Sequence, residues 1–321
     1  MKVIDKVDNY HDNAPTVLTI GTFDGVHIGH TKIIQRLVAD AHSKDYKSCL
    51  LTFFPHPRAV LQRDLSIKLL TTMDEKAKRL ESLGLDALVI HPFSREFSRL
   101  TAREYVEQIL VEKLHVKKIV VGYDHRFGRN READINELRY FSQLFDFEVE
   151  EIGPQDIDDV AVSSTKIRTA LTEGAVDKAN QYLGYTYGVE GIVQKGRGIG
   201  REIGFPTANL HEIHPTKLIP AEGAYIVSAP YRGNLLKGIM NIGKNPTVGG
   251  KGLHLEVHFL DFDNELYNER LTVNFHKRIR SEQKFNNLEA LKNQLELDKS
   301  SAIRFFKDAM LTWTFLLLQQ N

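Results

Sequence analysis

The chain has a single cysteine, Cys49, among its 321 residues. No internal disulfide framework can form, and a zinc site built from several cysteines is excluded. Cys49 lies in the apolar run Cys49-Leu50-Leu51-Thr52-Phe53-Phe54, where a buried packing thiol is expected rather than a nucleophile. An excess of charge of either sign is also missing: 42 Lys and Arg balance 42 Asp and Glu. Such a chain has no electrostatic footprint for nucleic acid or an anionic membrane as its main partner. Long hydrophobic runs are absent too. Residues 1–8 contain no apolar core, so no signal peptide is expected. Residues 310–318 are apolar but fall short of the roughly 20 residues that span a bilayer; they are expected to pack on the protein or to extend a last helix. What remains is an ordinary globular composition, 42% hydrophobic and 26% charged, at a length that suggests two domains. A cytoplasmic protein is expected.

Against this plain background one segment carries chemistry. Gly21-Thr22-Phe23-Asp24-Gly25-Val26-His27-Ile28-Gly29-His30 follows the apolar run Val17-Leu18-Thr19-Ile20 and precedes Ile33-Ile34-x-x-Leu37-Val38-x-x-Ala41. The first run predicts a buried strand and the second has helical spacing. A helix start presents unpaired N–H groups and a partial positive charge, both suited to phosphate. Imidazoles at that turn, His27 and His30, can add hydrogen bonds to a phosphoryl group under attack. The pattern points to chemistry at the α-phosphate of ATP. The tetrapeptide alone also fits a Gly-rich turn with two solvated histidines; the strand before it and the helix after it are the context that the nucleotide reading needs.

Around this segment the first half alternates. Strands are predicted at residues 17–20, 48–54, 87–90, 118–121 and 147–152, and helices at about 31–42, 73–83, 102–114 and 134–145. Alternation of this kind predicts an α/β domain with a parallel sheet, whose ligands bind outside the carboxyl ends of the strands. The glycine loop, the turn Phe54-Pro55-His56-Pro57 and the turn Gly122-Tyr123-Asp124 all fall at those ends. Val162-Ser163-Ser164-Thr165-Lys166-Ile167-Arg168 adds hydroxyls able to cap a helix, with Lys166 and Arg168 in its first turn. The helix dipole disfavours cations there, so either an anion lies nearby or they are solvated surface charges.

The character changes near Leu183-Gly184. Short runs at residues 187–193, 225–228, 236–242, 253–262 and 270–275, separated by turn residues, predict a closed or nearly closed β barrel. Helical patterns return at 288–297 and 303–311. This half opens with Gly196, Gly198, Gly200 and Gly204, which let backbone N–H groups approach a polyphosphate, with Arg197 and Arg201 adding charge. No Gly-Lys-Ser/Thr follows, so this is not a Walker A loop. Thr207 and Asn209, two apart in an extended segment, share a side and offer oxygen ligands suited to Mg²⁺. A flexible turn before a polar strand start is the alternative. Glu256, on the alternating strand 253–259, is either a solvent-facing residue or a general base for an attacking hydroxyl.

Together these segments resemble the bacterial bifunctional riboflavin kinase/FAD synthetase family, in order, from about Val17 to Phe306. Gly21–His30 is similar to its adenylyltransferase glycine loop, Phe54-Pro55-His56-Pro57 to its second motif, and Val162–Arg168 to its Ser-Ser-Thr-x-Ile-Arg box. Gly204-Phe205-Pro206-Thr207-Ala208-Asn209-Leu210 is the most specific match in the second half. Met240-Asn241-Ile242-Gly243-x-x-Pro246-Thr247 and Leu255-Glu256-Val257-His258-Phe259 follow it. The resemblance implies a Rossmann-like HxGH nucleotidyltransferase domain over 1–183. It implies an antiparallel β barrel of riboflavin-kinase type, with terminal helices, over 184–321.

It implies two reactions, riboflavin to FMN and FMN to FAD, with ATP as co-substrate and Mg²⁺ as the metal. It implies that His27 and His30 stabilise the α-phosphoryl transition state, with Gly21, Phe23, Asp24 and Gly25 as the nucleotide loop. Asp124, Ser164, Thr165 and Arg168 would hold the phosphates of ATP and FMN. In the kinase half, Gly196, Gly198, Gly200, Arg201 and Gly204 would cover ATP, Thr207 and Asn209 would bind Mg²⁺, and Glu256 would be the base. The chain departs from the family at Tyr123-Asp124-His125 and in lacking a glycine within Arg129-Asn130-Arg131-Glu132-Ala133-Asp134, so the contacts of Asp124 and His125 stay open. Oligomeric state is not legible.

Three rival readings differ in class. The His-Ile-Gly-His tetrapeptide also occurs in class I aminoacyl-tRNA synthetases, but no Lys-Met-Ser-Lys-Ser signature is present and the neutral chain is a poor tRNA binder. A nucleotidyltransferase with a merely regulatory barrel requires inert kinase motifs, whereas Thr207, Asn209 and Glu256 are all intact. A flavin sensor predicts binding without ATP turnover.

Overall fold

A computed structural model of the chain describes residues 1–62, 67–122, 125–153, 162–196, 199–244 and 253–318. The residues divide by their internal contacts into two units, Met1–Ser164 and Thr165–Asn321.

The first unit alternates strand and helix as the sequence predicts. In chain order come β1 (Lys2–Ile4), β2 (Thr16–Ile20), α1 (Ile28–Ser43), β3 (Lys47–Phe54), α2 (Pro57–Leu61), α3 (Met73–Ser82) and β4 (Ala87–Pro92). Then follow α4 (Ala102–Glu104), which continues as a π-helical stretch (Tyr105–Val111), β5 (Val116–Gly122), α5 (Ile135–Phe145) and β6 (Glu148–Ile152). The strands form one parallel sheet in the order β1-β4-β3-β2-β5-β6. Strands buried on both faces read as near-continuous apolar runs. One face packs Leu18, Leu51, Val89 and Ile119 against Tyr105, Val106, Leu110 and Leu138. The other packs Val17, Leu50, Leu88 and Val120 against Ile33, Ile34 and Leu37 of α1 and Leu80 of α3. From β2 the chain builds outward through β3 and β4 in one direction, then returns to add β5 and β6 on the other side. The point of reversal lies between β2 and β5, where parallel sheets open a ligand crevice.

Two details differ from expectation. The short edge strand β1 was not predicted; its register on β4 is fixed by Lys2 facing Ala87 and Ile4 facing Val89. The helix expected over 102–114 widens after Glu104, with Glu112 N donating to Glu107 O (3.0 Å). The wider turn gathers Tyr105, Val106 and Leu110 more nearly onto one buried face than a 3.6-residue repeat would.

The second unit begins with α6 (Ser164–Glu173), whose first residue belongs to unit 1, and α7 (Val176–Leu183). It continues with β7 (Gly188–Gln194), α8 (Ile199–Glu202), β8 (Ala208–His211), β9 (Gly223–Tyr231), β10 (Asn234–Lys244), β11 (Leu253–Phe259), β12 (Arg270–Ser281) and α9 (Leu288–Leu318). The six strands close into an antiparallel barrel, β10-β11-β8-β7-β12-β9. Val189, Val193, Leu210, Met240, Ile242, Leu255 and Val257 are buried and stand on one face of their strands. They fill the barrel.

The sequence reading drew the division after residue 183; within the second unit α7 is tied to the barrel. Asn180 Nδ2 donates to Phe275 O (2.8 Å) and its Oδ1 accepts from Tyr187 N (2.7 Å).

Two separate C-terminal helices were expected, but α9 is continuous. The break in the apolar pattern is Asp298, which is 1% exposed yet paired: it accepts from Arg280 Nη2 (2.9 Å) and Gln294 Nε2 (2.9 Å). One turn on, Ala302 packs with Ile226 and Ile239 of the barrel. Among the described residues no helix is long and apolar enough to cross a membrane.

Candidate active sites

The loop 21–30 leaves β2 at the switch point of the sheet. Gly21 N donates to Leu51 O (3.0 Å), extending the β2–β3 ladder by one step. The chain then turns through left-handed backbone at Phe23 (φ 43°), Gly25 (φ 85°) and Val26 (φ 36°). For β-branched Val26 this is an unfavourable conformation, worth of order 1–3 kcal/mol, so the surroundings must hold it.

They do so through polar groups. Asp24, 2% exposed, accepts from Leu70 N (3.0 Å) and Thr71 N (3.2 Å). Gly25 N donates to Thr71 Oγ1 (3.2 Å), Lys76 Nζ to Thr22 O (2.6 Å), and Ser164 Oγ to Asp24 O (2.9 Å). Asp24 was expected against the nucleotide. Its carboxylate takes the amides of residues 70–71, which anchors the loop, and Asp24 also lines the small cavity beside that loop. Ser164, 140 residues away in sequence, is brought onto the loop itself.

The two histidines are a stacked pair at the start of α1, with ring centroids 3.6 Å apart and planes 15° from parallel. His27 is the N-cap: its Nδ1 accepts from His30 N (3.3 Å). An accepting Nδ1 puts the proton of the neutral ring on Nε2. Burial pushes His27 down to about 4, with Asp24 pulling weakly the other way. Burial also lowers His30, helped by charge on His27 and Lys76. Both rings are neutral at pH 7. The buried Nδ1 of His30 has no partner among the described residues. A hydrogen-bonding group with that burial and no protein partner fits a ligand oxygen.

Against the first part of the loop lies a small cavity whose wall includes Thr22, Asp24, Phe54, His56 and Lys76. His56, from the Phe-Pro-His-Pro turn, caps α2 through Arg58 N (3.2 Å). The turn and the glycine loop therefore meet, as the strand-end argument requires. Lys76 was missed in the sequence. The available signal was its position four residues before Leu80, on the buried stripe of α3. Asp124 lies outside the described residues. His125 N donates to Gly122 O (3.0 Å) and its ring lies over Phe127. In the second unit, Thr165 is exposed and Arg168 half-buried on α6.

The barrel carries a second polar constellation. Strand register sets Asn209 of β8 between Gln194 of β7 and Glu256 of β11, and Glu256 opposite Asn241 of β10. Four polar residues thus form one row across four strands, with their apolar neighbours pointing into the barrel. Glu256 is half-buried within this row. The carboxyl of Glu282 is bonded to Asn241 and is raised, mainly by burial and further by Glu222 and Glu256. The glycine segment lies against this row: a Cβ at Gly196 would run into the Asn209 amide, and one at Gly200 into Phe205 O. Gly204 sits at φ 85°, and Arg201 is exposed. Gly198 lies outside the described residues. His258, not singled out in the sequence, bonds Pro206 O through Nδ1 (2.9 Å) and so fixes the chain entering Thr207. The oxygen donors of Thr207 and Asn209, with one nearby carboxylate, suit a hard cation that also carries phosphate.

Comparison with known proteins agrees with both halves. Residues 9–166 match the family model described as FAD synthetase, and residues 183–306 the one described as riboflavin kinase. The chain is 36% identical over 318 residues to the bifunctional riboflavin kinase/FMN adenylyltransferase of Bacillus subtilis, covering 96% of this chain and 99% of that one. The chain belongs to the bifunctional riboflavin kinase/FMN adenylyltransferase family. A relative of the same name from Listeria monocytogenes is 38% identical over 292 residues, covering 90% of this chain and 92% of its own. The fold also matches a crystal structure from Streptococcus pneumoniae described as a macrolide-efflux protein. That match has a TM-score of 0.86 and 29% identity, and it covers 94% of this chain and 98% of that one. The two activities named for the bifunctional family, riboflavin kinase and FMN adenylyltransferase, fall in separate halves of this chain.

Proposed function

We propose that the HxGH loop transfers AMP to FMN and that the barrel phosphorylates riboflavin. In the first reaction a phosphate oxygen of FMN forms a bond to the α-phosphorus of ATP. The bond from that phosphorus to the bridging oxygen breaks, and pyrophosphate leaves with the electron pair. No proton has to move, so the site needs donors rather than a base. Neutral His27 offers Nε2–H, and the unpartnered Nδ1 of His30 is suited to a phosphoryl oxygen. The amides of Ile28 and Gly29 have no intrahelical acceptor and add to the same field. Gly21, Phe23 and Gly25 shape the loop, and Asp124, Ser164, Thr165 and Arg168 are proposed to hold phosphates of ATP and FMN.

In the second reaction a riboflavin hydroxyl forms a bond to the γ-phosphorus, its proton passes to Glu256, and ADP leaves. Thr207 and Asn209 are the proposed ligands of Mg²⁺, which when bound would offset phosphate charge. Gly196, Gly198, Gly200, Arg201 and Gly204 would lie over ATP. We take the functional boundary after Leu183, and the enzyme as cytoplasmic.

The buried, neutral, stacked histidine pair with its unpartnered nitrogen carries the adenylyl-transfer reading. Purified protein incubated with riboflavin, ATP and Mg²⁺ should yield FMN, then FAD, on resolving the flavins. A preparation that binds flavin and forms neither product overturns the reading.

A further inference from the structure

Lys76 is a lysine where none is needed for packing. It is 2% exposed and its stem lies on the buried side of α3. Burying an ammonium is unfavourable unless it is paired and hydrogen-bonded. Its Nζ donates to one acceptor, Thr22 O (2.6 Å), in the loop that carries His27 and His30, and it lines the cavity beside that loop. Among the described residues the charged or titratable groups around it include Asp24 on the loop, His30 on α1 and His56 across the cavity. Asp24 already accepts from Leu70 and Thr71, and among the described residues the hydrogen-bond acceptor of the ammonium is a neutral carbonyl rather than a carboxylate. A fixed cation is thus built beneath a loop expected to gather the phosphates of two anionic substrates.

We infer that Lys76 is a positioning residue of the adenylyl-transfer site. It holds the Thr22 carbonyl so that the strained loop keeps its shape, and it supplies the positive charge under the phosphates. The inference rests on the adenylyl-transfer reading above. Two consequences follow from the chemistry. An uncharged replacement loses the tie and the charge together, and misplacement of a reacting group costs on the order of 10²-fold in rate. Arginine retains both, because its guanidinium stays charged above pH 12. Burial lowers Lys76 to about 8, with Asp24 opposing. The ammonium is therefore charged below that pH and neutral above it, and kcat/KM for FAD formation should fall as pH rises through about 8.

The test measures FAD formation from supplied FMN and ATP, with far-UV circular dichroism and urea unfolding of each preparation as the control on folding of the first unit, which carries Lys76. Lys76→Met should lose on the order of 10²-fold in kcat for FAD formation and leave FMN formation unchanged. Lys76→Arg should regain most of that loss, and its alkaline limb should move to higher pH. A folded Lys76→Met protein with unchanged FAD kinetics overturns the inference, as does a Lys76→Arg profile whose limb stays in place. If Lys76→Met does not fold, the Lys76→Arg profile decides by the same criterion. A wild-type protein that makes no FAD overturns the adenylyl-transfer reading itself, and the inference with it.

Discussion

The His27 ring caps α1 through Nδ1, so its protonation state bears on stability as well as on the proposed chemistry. An ordinary histidine titrates near 6.5, and burial lowers His27 to about 4 in the folded chain. The folded state therefore favours the neutral ring. The stabilisation this represents is fully present above pH 6.5 and is lost as pH falls from 6.5 towards 4. By linkage the loss amounts to about 2 kcal/mol between pH 7 and pH 5. Urea unfolding at a series of pH values should show that decline, and His27→Gln should reduce its slope. His30 is shifted in the same direction and leaves a residue of it. An identical slope in the variant would mean that His27 titrates normally in the folded chain.

At this scale the sequence singled out candidate residues and not what each side chain faces. His27 and His30 were legible because a turn between strand and helix has few other uses for two imidazoles. The anchoring contact of Asp24 was not legible, since the amides that take its carboxylate belong to Leu70 and Thr71, a tertiary contact with no local signature. Lys76 was obscured by the ordinary expectation that a lysine on a helix is solvated.

Elements follow their patterns wherever the pattern is local. Strands β2 to β6 and helices α1, α3 and α5 start and stop within a few residues of the positions set by apolar spacing and capping residues. Thr72, for instance, caps α3 reciprocally with Glu75. The misses are elements whose stability comes from a distant partner: β1 against β4, β8 between β7 and β11, and the middle of α9. The last makes a testable case. Asp298→Ala leaves the Arg280 guanidinium, only 13% exposed, without its carboxylate. Breaking a buried pair from one side costs about 3–5 kcal/mol, while replacing both partners by apolar residues is far milder. Denaturant unfolding of Asp298→Ala should show a loss of that size, and Arg280→Met with Asp298→Leu should recover much of it. A single substitution that costs nothing would show that α9 is held by Ala302 and its apolar neighbours alone.

For the whole molecule, the division of labour is the strongest consequence of the architecture. A parallel sheet with its loop at the switch point and a closed barrel with a polar row on its outer face are each complete folds. Each carries its own set of the residues proposed above to handle phosphate, so the two reactions should separate by mutation. Glu256→Gln keeps shape and hydrogen-bonding capacity and removes the base, a change that typically costs 10²–10⁴-fold in rate, on the order of magnitude for general-base loss. FMN formation from riboflavin should collapse, while FAD formation from supplied FMN should persist. His30→Ala should do the reverse. It removes a donor to the phosphoryl transition state, worth on the order of 10²–10³-fold for a comparable donor, and the variant should accumulate FMN and stall there. The surviving reaction reports only on the unit left unchanged, so urea unfolding of each variant is measured as the control on the mutated one. The decisive readout is the ratio of FMN to FAD formed with time from riboflavin and from FMN. If either substitution abolished both reactions in a protein of native stability, one nucleotide site would serve both steps, and the assignment of Glu256 and His30 to independent centres would fall.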